Sequence, residues 1–388
     1  MLTLLVSDIF PPKTGGSGRW FWEIYRRLPR EAFMIAAGQD VRQDEFDRGH
    51  DLRVVRLPLR LRKWGILSLD GLSGYWAAIR RLGKLVRSCD VDTIHCGRVL
   101  PEGVMAWFLK CRLGIPYLCY VHGEDVTTAR DSREYVILIQ RVLRGADLII
   151  ANSRNTQRIL CDEWNLPADQ VRVLYPGVDT SRFVPAPHDP AFRQGLGWRD
   201  RTVVLTVGRL QKRKGHDQMI RAVRLLKEEF PDLMYAVIGD GEERGELERL
   251  IQTEGVANHV QLLGEIDDRQ LIQCYQQCDL FILPNRQVGR DIEGFGMVLV
   301  EAQACGKPVI AGASGGTAET MNAPATGRVI CCERPVTIAG AIAEMLRDRA
   351  RMAAMGRAGR DWAVANFDWT SLAAQATQVF DSLEPALA

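Results

Sequence analysis

Short apolar runs of strand length, most of them running into glycine loops and each followed by a segment of helical periodicity, recur through both halves of the chain. Residues 2–6, 92–95, 117–121 and 147–151 form this pattern in the first half, and 202–207, 233–238, 260–263 and 280–283 in the second. Parallel strands need a crossover of a dozen or more residues, usually a helix, so the alternation admits little besides parallel sheets covered by helices. At 388 residues the chain is too long for one ordinary core. The pattern stops after Pro176-Gly177-Val178-Asp179, passes the proline-rich segment 185–190, and restarts. The reading is an α/β protein of two Rossmann-like, doubly wound domains facing across a cleft, over 1–178 and 179–365, with a helix over about 366–388 returning to pack on the first.

The stretch Glu293-Gly294-Phe295-Gly296-Met297-Val298-Leu299-Val300-Glu301 leads from a glycine loop into an apolar segment of helical length, which Gly306 and Pro308 end before a β-branched run. Its opening turn presents backbone N–H groups at the positive end of a helix dipole, and the glycines let a ligand approach the backbone. Glu293 precedes the turn and Glu301 lies two helical turns on. Two carboxylates framing a helix N-terminus suit a ligand with both hydroxyls and phosphates, such as a nucleotide sugar. Alone, the motif fits equally well a plain turn followed by a solvated glutamate.

Other strand ends add to it. Arg209, Lys212, Arg213 and Lys214 place four cations directly after strand 202–207, a pattern suited to a diphosphate. Gly239 and Gly264 follow two further strands. In the first half, Gly15 and Gly16 lie in a loop that matches neither GxGxxG nor a Walker A sequence, ahead of a helix expected from Arg19. His122-Gly123-Glu124-Asp125 stands at the carboxyl end of strand 117–121, where open α/β sheets bind ligands. Asn152-Ser153 caps a helix beginning near Asn155. Asp90-Val91-Asp92 matches a DxD metal signature but falls where a helix turns into a strand, so it is read as a loop cap and no metal is assigned. Ten scattered cysteines complete no zinc set and are read as reduced thiols.

In this order and context the landmarks resemble the retaining glycosyltransferases of family four, which share the GT-B architecture, over essentially the whole chain. The segments 301–306, 311–320, Pro324-Ala325-Thr326-Gly327 and 355–360 are most similar to the bacterial phosphatidylinositol mannoside mannosyltransferases, which use GDP-mannose. That closer likeness is confined to the second half. The resemblance implies an acceptor-binding first domain and a nucleotide-sugar-binding second domain. It implies that Arg209 and Lys214 hold the diphosphate and neutralise the charge that builds on it. Glu301 would accept hydrogen bonds from the ribose, and Glu293, with the backbone of Gly294, Phe295, Gly296, Met297, Val298 and Leu299, would hold the transferred sugar. Gly239 and Gly264 would line the donor site. Gly16 would approach donor phosphate or acceptor, with Gly15, His122 and Asp125 on the acceptor side and His122 lining the sugar pocket. The family reacts on one face of the sugar, with the leaving phosphate taking the acceptor proton, so no nucleophile is named.

The expected reaction moves a hexose from a nucleotide sugar, GDP-mannose being favoured and a UDP-sugar the alternative, to a lipid-linked or glycan acceptor, with no cofactor required. A soluble acceptor is the competing reading, and a non-catalytic nucleotide-sugar-binding scaffold a third. Residues 53–63 hold five basic side chains and no acid, and Arg80, Arg81, Lys84 and Arg87 continue the basic character along a helix. Such a surface suits anionic lipid headgroups, or is simply a solvated basic edge. The net charge of +2 and the lack of a recognition motif speak against nucleic acid. Residues 1–8 lack a basic n-region and no apolar run is long enough to span a bilayer, so the expected location is the cytoplasm, peripheral on the inner face of the plasma membrane.

Overall fold

A computed structural model describes residues 1–383 of the chain. They form two compact units, one of residues Met1–Pro176 joined by the chain from Trp369 onward, the other of Gly177–Asp368.

The first unit holds β1 (Thr3–Ser7), β2 (Phe33–Gly38), β3 (Val54–Leu57), β4 (Thr93–Cys96), β5 (Tyr117–Val121), β6 (Leu148–Ala151) and β7 (Val171–Val173). All pair in parallel, in the order β3-β2-β1-β4-β5-β6-β7. An all-parallel sheet must be covered on both faces, and the apolar side chains of β1, β5 and β6 are accordingly buried throughout. The strand order reverses between β1 and β4, which opens a crevice at their carboxyl ends. The loops after β1, β4 and β5 converge on that end.

Two local readings change. The helix after β1 spans Gly16–Tyr25, so it begins three residues before Arg19. Gly16, Ser17 and Gly18 form its first turn because it packs closely on the preceding loop, where a Cβ on Gly18 would meet the Ile9 carbonyl oxygen at 3.2 Å. In edge strand β3, Arg56 is unavailable to any membrane surface. Its guanidinium pairs with Asp47 at 2.6 Å and donates to the carbonyl oxygens of Pro11 and Gly38. Asp92, from the DxD match, accepts the Leu2 N–H at 2.7 Å and so fastens a loop.

The second unit holds β8 (Thr202–Val207), β9 (Leu233–Ile238), β10 (Val260–Gly264), β11 (Leu280–Leu283), β12 (Val309–Gly312) and β13 (Gly327–Ile330), again all parallel. Their order is β10-β9-β8-β11-β12-β13, so the reversal falls between β8 and β11. The helices His216–Leu226 and Pro335–Arg347 cover one face, burying Ile220, Val223, Ile338 and Ile342 against Val204, Tyr235 and Ile282.

The helix Trp369–Asp381 belongs to the first unit. The last five residues of the segment expected to return there, 384–388, lie outside the described residues. Phe380 sets its ring 4.6 Å from His95, 6.1 Å from Tyr25 and 6.2 Å from Phe33. Truncating this aromatic anchor removes both its burial and its ring contacts. Phe380→Ala is expected to cost about 3 kcal/mol in urea denaturation and to make the C-terminal helix the first site of limited proteolysis.

Candidate active site

The second unit builds its site from three loops at the carboxyl ends of β8, β11 and β12. After β8 the chain makes a short 3-10 turn, Lys212–Lys214, and enters the helix His216–Leu226 through Gly215. Gly215 has φ 74°, and a Cβ there would stand 1.8 Å from the Pro284 carbonyl oxygen, so only glycine lets the turn lie against the β11 loop. The turn's own carbonyl, Arg213 O, accepts the Arg286 N–H at 2.8 Å, and Arg286 forms a two-pronged ion pair with Asp217 at 2.7 and 3.0 Å.

Lys214 and Glu293, both buried, meet at 2.6 Å from Nζ to Oε2. Arg213, one of the four cations after β8 but not among those given a role by the resemblance, bonds the same carboxylate oxygen and reaches Asp291 at 3.3 Å. Burial alone would raise the Glu293 carboxyl, but Lys214 and Arg213 outweigh it and hold the group below the usual carboxylate range. Asp291, less enclosed, is moved the other way by burial against the pull of Arg213. The Glu293 backbone is equally fixed: its carbonyl accepts the Gly316 N–H at 3.0 Å, and a Cβ on Gly315, φ 70°, would fall 1.7 Å from that oxygen.

Beyond Glu293 the chain passes Gly294 and Phe295 to Gly296, whose φ of 90° caps the helix Met297–Ala304. The first N–H groups of a helix have no acceptor within it, so this turn offers donors at the positive end of the dipole. Phe295 contributes only backbone there, because its ring is buried against Phe367 at 5.6 Å. Met297 and Val298 are half-buried. Leu299 stands apart: its side chain is wholly buried and its N–H donates to Gly296 O at 2.9 Å. Glu301 is also buried, and Tyr275 donates to its Oε2 at 2.7 Å. Arg209 is exposed, with no side-chain partner among the described residues.

The glycines after β9 and β10 have a packing reason. Gly239 and Gly264 are bridged at 2.8 Å, and a Cβ on Gly239 would lie 2.2 Å from Gly208 O. His216, whose part the residue pattern did not reveal, supports the same loop. Its Nε2–H donates to the Arg209 carbonyl at 3.2 Å, which leaves Nδ1 to accept from Tyr235 at 3.1 Å, and burial pushes its pKa down to about 4. Asn285 ties two loops together by donating to Ser314 O at 2.9 Å and accepting from Gly312 N at 3.0 Å.

In the first unit, Gly15 and Gly16 open the helix after β1, and Lys13 folds their loop by bonding the Asp8 carboxylate at 2.8 Å. His122 follows β5. Its Nε2–H donates to Gly97 O at 2.8 Å, which leaves Nδ1 as the acceptor nitrogen of the neutral ring; burial lowers its pKa, against the opposing pull of that bond. Asp125 accepts the His122 N–H at 3.1 Å, its Oδ2 is enclosed without a partner, and burial pushes it up to about 6. The neighbouring Glu102, also missed, is buried, takes the Asp8 N–H at 2.9 Å and has its pKa raised by burial. No three His, Cys, Asp or Glu side chains among the described residues gather as a metal set.

Residues 14–182 match Glycosyltransferase Family 4 and residues 189–362 match the glycosyl transferases group 1. The chain belongs to this family of glycosyltransferases. It is 33% identical over 384 residues, 96% of each chain, to a GDP-mannose-dependent alpha-(1-6)-phosphatidylinositol monomannoside mannosyltransferase of Mycobacterium tuberculosis. To the enzyme of that name from Mycolicibacterium smegmatis it is 31% identical over 395 residues, 99% of each chain. Among solved structures it matches Anabaena Alr3699/HepE in complex with UDP-glucose, with TM-score 0.83, 23% identity and coverage of 98% of this chain and 100% of that one. This likeness shows the GT-B fold.

The buried histidines yield a pH signature. His216 at about 4, His95 at about 3 and His122 all titrate below the ordinary value of 6.5, so the unfolded chain takes up protons first. Their contribution is complete above pH 6.5 and is lost as pH falls toward 4. Each adds a slope of up to about 1.4 kcal/mol per pH unit in that window. Urea denaturation of His216→Gln between pH 7 and 4.5 is expected to show a shallower dependence on pH than the wild type.

Proposed function

We propose that the protein is a retaining mannosyltransferase that moves mannose from GDP-mannose to a lipid-linked acceptor at the cytoplasmic face of the membrane. The observation that carries the reaction is the buried contact of Lys214 and Arg213 with Glu293, beside the helix N-terminus at Gly296. The near-full-length likeness to two enzymes whose names specify GDP-mannose and a phosphatidylinositol mannoside supports the donor and the lipid-linked acceptor.

In this reading Arg209 and Lys214 face the diphosphate. An ammonium has three donors, so the bond from Lys214 to Glu293 leaves capacity for phosphate oxygens. Charge accumulates on the leaving phosphate as the glycosidic bond breaks, and fixed cations in a water-poor site stabilise it most when it is fully developed. Glu293, ionised and acceptor-only, receives hydroxyl protons of the mannose, while the N–H groups of Gly294 to Val298 address oxygens of the sugar and the β-phosphate. Glu301, oriented by Tyr275, takes the ribose hydroxyls. Two cations on one carboxylate lower its basicity, which makes Glu293 a sugar-holding group rather than an attacking one. The acceptor oxygen then attacks from the leaving-group side, its proton passes to the departing phosphate oxygen, and configuration is retained. His122, with its Nδ1 lone pair free, and Asp125 serve the acceptor side.

A thermal-shift panel separates the donors, because a ligand that binds only the native state raises its melting temperature. GDP-mannose is expected to give the largest shift; a larger shift with UDP-sugars would move the assignment to a UDP-dependent transfer. Lys214→Ala is expected to cut turnover by roughly a hundredfold or more, as loss of a transition-state charge partner does, while leaving the circular dichroism spectrum unchanged.

A further inference from the structure

The loop after β1 has to present Gly15 and Gly16 with little backbone bonding of its own. Its two ends are fixed, because Asp8 follows β1 directly and the helix Gly16–Tyr25 is anchored by the buried Trp20, Phe21, Ile24 and Tyr25. Between them Pro11 and Pro12 are consecutive, and proline has no N–H to give to a turn or a ladder. One backbone hydrogen bond crosses the segment, from the Lys13 N–H to Phe10 O at 3.2 Å. Side chains do most of the holding. Arg56 donates to Pro11 O at 2.7 Å, Arg42 to Pro12 O at 2.9 Å and the Ser7 hydroxyl to Ile9 O at 2.9 Å. Lys13 turns back onto Asp8, meeting its carbonyl at 3.1 Å and its carboxylate at 2.8 Å.

Arg56 stands apart from the other holders. Its side chain is only 7% exposed, whereas Arg42 is in water, and each of its guanidinium nitrogens is used. Nε and Nη2 grip the Asp47 carboxylate at 2.9 and 2.6 Å, Nη1 donates to Gly38 O at 3.1 Å, and Nη2 also reaches Pro11 O. One planar fork therefore ties the helix Gln43–Arg48 and the end of β2 to the loop after β1, a task a point-charge ammonium cannot perform. The guanidinium lies 5.8 Å from the ring of Phe10, which is wholly buried. Gly38 is nested under the same loop: a Cβ there would fall 2.3 Å from Asp8 Oδ1 and 2.9 Å from Lys13 Nζ. The edge strand itself does not need this device, since β3 is already registered with β2 over four residues. A buried ion pair adds little net stability, so what Asp47 and Arg56 supply is the place of the loop.

We infer that Arg56, oriented by Asp47, is a positioning residue for the transfer: it pins the Pro11-Pro12 segment so that Gly15, Gly16 and the helix they open stand where the acceptor is received. Arg56 touches no substrate and acts through the backbone of the loop. The inference rests on the acceptor transfer of the proposed function, and it commits the loop to the acceptor. The proposed donor groups Lys214, Glu293 and Glu301 lie in the second unit, and the bonds of Arg56 all lie in the first. Loosening the loop therefore spoils the placing of the acceptor and leaves the donor held as before. A misplacement of about 1 Å is enough to cost about a hundredfold in rate.

The experiment reads amide hydrogen exchange and steady-state transfer on the full chain, with GDP-mannose as donor and a detergent-dispersed phosphatidylinositol monomannoside, the lipid in the relatives' names, as acceptor. In Arg56→Met the amides of Lys13 and Arg19, bonded to Phe10 O and Gly15 O, are expected to exchange about tenfold faster, while those of β5 keep their protection. Its kcat/KM for the acceptor is expected to fall about tenfold to a hundredfold, with the KM for GDP-mannose within about twofold of the wild type. Arg56→Lys, which keeps a charge for Asp47 but loses the fork, is expected to recover part of both losses. Should the single variant fail to fold, Asp47→Asn combined with Arg56→Met removes the pair without stranding the carboxylate and is expected to show the same two losses. Unchanged exchange in the loop, full transfer by these variants, or a KM for GDP-mannose that rises as much as that for the acceptor overturns the inference. A wild type that gives the GDP-mannose thermal shift but no transfer to this lipid overturns the acceptor reading alone, and exchange in the loop then decides the clamp.

Discussion

One buried carboxylate with two cations organises the second unit. Glu293 sits in the loop before the helix Met297–Ala304, while Lys214 and Arg213 belong to the turn after β8, so their contact joins segments about eighty residues apart in sequence. The same residue's backbone is packed by Gly315 and Gly316 from the loop after β12. Three loops from three strands thus depend on one side chain and its peptide. A buried ion pair of this sort adds little net stability, because desolvation offsets much of the attraction, but removing either partner leaves a stranded charge. What the arrangement supplies is position: a carboxylate kept ionised, and an ammonium and a guanidinium kept from drifting into solvent.

The surrounding residues extend that fixity outward. His216 supports the Arg209 carbonyl, Arg286 and Asp217 clamp the turn from the β11 side, and Asn285 couples the β11 and β12 loops. Arg209 alone among the expected phosphate ligands has an exposed side chain without a partner among the described residues. In the proposed reading, a diphosphate would meet Lys214 already oriented by Glu293 and Arg209 still open, with little rearrangement of the loops.

Much of this was legible from residue order. Strands ending in glycine loops, alternating with helical segments, determine a parallel α/β fold, and Glu293, Glu301, Arg209 and Lys214 stand out because charge at a strand end or a helix start has few structural uses. Partnerships were not legible. That Arg213 rather than Lys212 turns inward depends on the phase of a three-residue 3-10 turn, which sequence does not set. His216 looks like an ordinary first-turn residue until Tyr235, from a separate strand, is placed beside it. Gly239 read as backbone open to a ligand, whereas the neighbouring carbonyl of Gly208 supplies the reason for its missing side chain. The basic stretch over 53–63 was visible, but which stripe of the helix Leu69–Ser88 faces water was not, since periodicity alone cannot tell which of two stripes faces the core.

The role of Glu293 separates a sugar-holding site from a merely structural ion pair. Isothermal titration of GDP and GDP-mannose into the wild type and Glu293→Gln tests it directly. If the carboxylate holds the mannose, the variant keeps its affinity for GDP within about threefold and loses most of the additional affinity that the sugar provides, a loss of about 1.5–3 kcal/mol for charge-assisted hydrogen bonds. Equal weakening of both ligands would contradict it, leaving Glu293 as an anchor for Lys214 alone.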